Sequence, residues 1–129
     1  MKALAIIAVL VAGPALAADH APGECAEEQV ITGRLACFTD AALAANDPTI
    51  CLATDEAAVI FNCIGRYGEI TQDPDVCGLI PEGHDELSAV AVREACIAGV
   101  AVAANQPALC EGLSDDMARA CRTLVEERN

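Results

Sequence analysis

The chain has 129 residues, 54% of them hydrophobic, with 20 acidic side chains against seven basic ones and a net charge of −13. Such an acidic surface excludes nucleic acid and anionic membrane surfaces as partners, because binding either requires a basic footprint. No tryptophan, two phenylalanines and one tyrosine leave a core built from small aliphatic side chains, which bury little area per residue.

The first segment is a short basic start, Met1-Lys2, followed by the uncharged run from Ala3 to Ala12, the breaker Gly13-Pro14 and the small-residue triplet Ala15-Leu16-Ala17. This is the pattern of a secretory signal peptide over 1–17 with an A-x-A cleavage site. A membrane span needs about 20 apolar residues, and Asp19-His20 ends the run before that. In the predicted mature chain, 18–129, the most apolar later stretch, Ala89 to Ala104, is interrupted by Arg93-Glu94, so no membrane span is expected in it. Removing Lys2, the only lysine, moves the net charge from −13 to −14 and leaves six arginines. The expected location is periplasmic or secreted.

Cleavage after Ala17 would expose Ala18-Asp19-His20. A free amine, two amide nitrogens and a third-position imidazole make a square-planar Cu(II) or Ni(II) site, so these three residues are the candidate metal ligands. Cleavage one residue later would remove that geometry.

From here the chain reads as a repeat. Pro22-Gly-Glu-Cys25, Pro48-Thr-Ile-Cys51, Pro74-Asp-Val-Cys77 and Pro107-Ala-Leu-Cys110 are four copies of P-x-x-C, each followed by one further cysteine: Cys37, Cys63, Cys96 and Cys121. The second cysteine lies 11 positions before the next proline in all three cases. Eight cysteines in a small exported chain predict a disulfide framework, whereas zinc would need close C-x-x-C pairs that are absent. Pairing within units is preferred, because the array opens with P-x-x-C and closes with a second cysteine. The rival scheme joins Cys37 to Cys51, Cys63 to Cys77 and Cys96 to Cys110, with Cys25 to Cys121 closing the ring. Eight cysteines allow 105 connectivities in all.

The joints have a mechanical reading. Asn46-Asp47, Gln72-Asp73 and Asn105-Gln106 each precede a proline, and proline suits the first turn of a helix. Asp47 and Asp73 can accept from a free backbone N–H there, while Gln106 does so poorly. One helix should therefore stop and a short one begin. The segments carrying the second cysteines have helical apolar spacing: Ile31, Leu35, Phe38 and Ala42; Ile60, Cys63, Ile64 and Tyr67; Val92, Cys96, Val100 and Ala103; Met117, Cys121, Leu124 and Val125. In the third unit Val and Ala alternate in a way that also suits a strand, and the abundance of alanine decides for helix. The gap between that unit's cysteines is the longest and contains Gly78, Pro81, Gly83 and His84, which predicts an exposed loop insertion.

The expected fold is all-α: four disulfide-stapled short-helix/long-helix repeats packed as a small bundle or solenoid. It resembles the short Cys-paired helical repeats, with a D-P-x-x-C joint, of exported prokaryotic proteins of unknown function. The resemblance runs from Pro22 to Cys121 on Pro and Cys spacing, and it implies a fold without implying a catalytic or binding residue.

Catalytic groups are few. Serine after the leader is limited to Ser88 and Ser114, histidine to His20 and His84, and lysine is absent, which removes Schiff-base chemistry. Asp55-Glu56, Asp85-Glu86 and Asp115-Asp116 fall where long helices should begin, and acids favour the positive helix end. Arg34 and Arg93, each three positions before a second cysteine, are expected in surface ion pairs of small worth. No catalytic residue and no cofactor is expected. The predicted role is an exported small acidic structural or interaction protein that binds, or inhibits, another protein. The alternative is Cu(II)/Ni(II) binding through Ala18, Asp19 and His20.

Overall fold

The computed structural model describes residues 22–83 and 88–129. The leader and the Ala18-Asp19-His20 terminus lie outside the described residues, as do His84 and the Asp85-Glu86 pair. The described residues form an all-helical fold with no strand.

Each of the four units is a short helical segment followed by a long helix. The first unit has α1 (Pro22–Glu27) and α2 (Ile31–Ala45); the second has the 3-10 helix η1 (Pro48–Leu52) and α3 (Ala57–Thr71). The third has η2 (Pro74–Leu79) and α4 (Ala89–Ala104); the fourth has η3 (Pro107–Gly112) and α5 (Asp115–Glu127). Three of the four short segments are thus 3-10 rather than α, with a proline in the first turn of each. Tight i to i+3 turns are usual in such short pieces.

All eight cysteines are bridged within their units: Cys25–Cys37, Cys51–Cys63, Cys77–Cys96 and Cys110–Cys121. The Cα atoms of each pair lie 5.4 to 5.8 Å apart, so each bridge pins a short segment against its own long helix. Four bridges and no free thiol in a chain this small belong to an oxidising environment.

The joints repeat one geometry. The residue after each of the first three long helices takes the left-handed conformation, Asn46 at φ 50°, Gln72 at 57° and Asn105 at 52°. The next amide then reaches back five residues: Asp47 N–H donates to Ala42 O at 2.9 Å, Asp73 N–H to Gly68 O at 3.0 Å, and Gln106 N–H to Ala101 O at 2.8 Å. This closes carbonyls left open at the helix end and turns the chain sharply into the proline. Asp47 then accepts from the amide of Thr49, and Asp73 from that of Asp75, while Gln106 makes no such bond.

Long helices pack in chain order, α2 on α3, α3 on α4 and α4 on α5. The main core holds Phe38, Val59, Ile64, Ile80 and Val100 with six of the cysteines in or against it. A second, smaller core of Ala98, Ala101, Leu113, Ala118 and Val125 surrounds the Cys110–Cys121 bridge. Helix α4 serves both, sending Cys96 and Val100 one way and Ala98 and Ala101 the other. That double burial is why its apolar residues show no single stripe and resemble strand alternation in the sequence.

Three sequence expectations are corrected in detail. Ile31 and Leu124, placed on buried stripes, are 45% and 51% exposed. The insertion in the third unit is not wholly exposed, because Gly78 lies within η2 and Ile80 is fully buried in the core. The arginines preceding second cysteines do more than pair at the surface. Arg93 donates from Nε and Nη2 to the Ile80 carbonyl at 3.0 and 2.6 Å, fixing the start of that insertion.

Candidate functional site

Of the residues singled out in the sequence, the eight cysteines form structural bridges, and bridged sulfurs offer no thiolate for catalysis or metal binding. Asp115 and Asp116 occupy the first turn of α5 as expected, and Asp116 pairs with Arg119 at 3.0 Å. Glu56 flanks the start of α3 without capping it; its carboxylate instead faces Arg34. Among the described residues no three His, Cys, Asp or Glu side chains gather into a metal-sized group.

Polar clasps join the units in pairs. Arg34 donates to the Glu28 carbonyl at 2.7 Å and, from Nη2, to Glu56 Oε2 at 2.9 Å. Its Nε lies 2.7 Å from Glu56 Oε1 with its N–H off that line, so the contact there is Coulombic. Tyr67 adds a hydrogen bond from its hydroxyl to Asn46 Oδ1 at 3.2 Å. Between the third and fourth units, Glu94 accepts from both the amide and the hydroxyl of Ser114, capping the start of α5. Asn105 and Asn129 exchange amide hydrogen bonds at 2.9 and 3.1 Å. The middle joint is apolar: a Cβ at Gly68 would lie 2.9 Å from Val76 and 3.0 Å from Val100.

The feature best suited to binding lies on the face shared by α3, α4 and α5. One hollow of about 350 Å³ lies between α3 and α4, lined by Phe61, Asn62, Gly65 and Arg66 on one side and Val92 and Ala95 on the other. A second of about 420 Å³ lies between α4 and α5, walled by Met117, Leu124 and Arg128 and floored by Ala95, Gly99 and Val102. Glu69 and Ala95 line both, so the two hollows meet along α4 as one trough. The floor residues recur at helical spacing and are all small, which sets the surface of α4 below its neighbours.

The trough is apolar along the α4–α5 side except for Glu69 and Arg128. Arg128 donates to the Val102 carbonyl at 3.0 Å, a second donor to an oxygen that already accepts from the Asn105 N–H at 3.3 Å. Glu69 accepts from Arg66 at 2.8 Å through Oε2, while its Oε1 lies over Gly99, 2.9 Å from where a Cβ would stand. Gly99 therefore makes room for a carboxylate between Arg66 in one hollow and Arg128 in the other. Sequence reasoning missed this site. Its only signal was the run of small residues in α4, whose meaning depends on which helices flank it.

Comparison with protein families, with curated proteins and with solved structures finds no match to this chain.

Proposed function

We propose that this chain is an exported, non-enzymatic interaction module of the periplasm or extracellular space: a small acidic scaffold that binds or inhibits another protein. The observation that carries this reading is the trough across α3, α4 and α5, an apolar recess on a frame in which every unit is covalently stapled. A stapled surface loses little conformational entropy on association, which favours binding by a preformed site. Full use of the thiols in bridges supports a structural role for the cysteines. The kinship to Cys-paired helical repeats of exported proteins belongs to the same proposal.

Native, non-reducing mass spectrometry of the protein taken from its own cell envelope tests it. The expected species begins at Ala18, is eight hydrogens lighter than the reduced chain and carries a bound protein. A copper or nickel ion in place of a protein would transfer the function to the Ala18-Asp19-His20 terminus. A chain with neither would defeat the interaction reading.

A further inference from the structure

We infer that the trough on α3, α4 and α5 is a docking groove for one amphipathic helix of a cationic protein, with aliphatic side chains in the two hollows and a lysine or arginine over the Glu69 carboxylate. This deepens the interaction-module reading and rests on it. Small side chains on α4 let a fourth helix approach closely between α3 and α5, at the spacing of about 8–10 Å usual for packed helices. Large side chains on that helix would fill the hollows on either side of Ala95, where Phe61 and the half-exposed Leu124 stand as walls. A helix running the 16 residues of α4 would be about 24 Å long.

Charge selects the occupant. Five of the six arginines are engaged by the protein itself: Arg34 with Glu56, Arg66 with Glu69, Arg93 with Glu82, Arg119 with Asp116, and Arg128 with the Val102 carbonyl. Among the described residues 17 carboxylates outnumber the six arginines and none is buried, a field that draws in a cationic surface and repels a second copy of this chain. At the centre of the trough Glu69 is 32% exposed and shares only one oxygen with Arg66, so a descending ammonium or guanidinium meets an acceptor already in place.

The test uses the oxidised chain and a synthetic helical peptide of roughly 16 residues. This peptide has leucines on one face, a single central lysine on that face, and further lysines on the other. Two partner peptides replace the central lysine by norleucine or every lysine by glutamate. Amide NMR shifts should concentrate on Ala95, Gly99, Val102 and Leu124. Filling the floor with Ala95→Phe, or charging the wall with Leu124→Glu, should weaken the lysine peptide at least about tenfold. E69Q should weaken it about tenfold and leave the norleucine peptide unchanged. Asp40→Asn, an exposed acid on α2, should change neither by more than about twofold. Shifts spread over the acidic surface, equal losses in the Asp40 variant, or binding of the glutamate peptide would overturn the inference. So would self-association that protects the same residues. A natural partner recovered by mass spectrometry whose cross-links fall away from the trough would defeat the groove while leaving the interaction reading standing; recovery of no partner would defeat that reading itself.

Discussion

Three residues occupy equivalent places before the joint prolines, and they are not equally suited to the work. Asp47, Asp73 and Gln106 have similar φ of −137°, −112° and −117°, yet only the two aspartates accept from an amide two residues on. Gln106→Asp places a short carboxylate where the geometry already fits and should stabilise the protein by up to about 1 kcal/mol in denaturant unfolding. Asp47 gives the same cap a pH signature. Hydrogen bonds from the hydroxyl of Thr49 at 2.6 Å and from its amide at 2.9 Å hold its carboxyl below the ordinary 3.8. A depressed folded-state value means that the cap's contribution is full above the unfolded pKa and is lost as pH falls through the folded one. The melting temperatures of the natural protein and Asp47→Ala should accordingly differ near neutrality and converge as the pH falls through the lowered pKa of Asp47. Constant separation of the two across that range would show that the carboxylate is not the capping group.

At the scale of elements, the joints are legible in the sequence because proline and cysteine each act locally. Proline fixes the first turn, and a cysteine 11 positions earlier marks a helix whose end is set by the same sequence block. What was not readable depended on neighbours. Helix α4 looked ambiguous because it is buried on two sides, by α3 and by α5, and Leu124 looked buried because its helix stripe ends at the trough rather than at a partner. Arg34 looked like a surface charge because nothing in the sequence places Glu56, 22 residues on, within its reach. The candidate site was illegible for the same reason, since a run of alanine, glycine and valine becomes a recess only when taller helices flank it. The apolar joint between α3 and η2 makes the strongest demand on a single position. Gly68→Ala would drive a methyl group against Val76, Val100 and the Asp73 carbonyl at 3.1 Å, and the backbone oxygen cannot swing aside. A loss of about 1–3 kcal/mol is expected, whereas Gly65→Ala, which meets nothing within 4 Å, should be neutral or slightly stabilising.

For the whole molecule, stability is divided between a thin aliphatic core and four covalent staples. Each bridge closes a loop of 11 to 19 residues and contributes about 3 kcal/mol by restricting the unfolded chain. Together they match the roughly 5–15 kcal/mol that separates a typical folded domain from its unfolded chain. Full reduction and alkylation should therefore abolish the cooperative thermal transition seen by circular dichroism. A transition surviving at the same temperature would place the stability in the core instead.

The first cysteine of each unit is bonded to the next one along the chain, and no bridge crosses from one unit to another. When such a chain is threaded amino end first into an oxidising space, each pair is complete before the following pair arrives. An oxidant that simply joins successive cysteines then produces the native set, with no need for an isomerase to correct it. Locality of the bridges thus makes order of emergence a sufficient instruction for assembly.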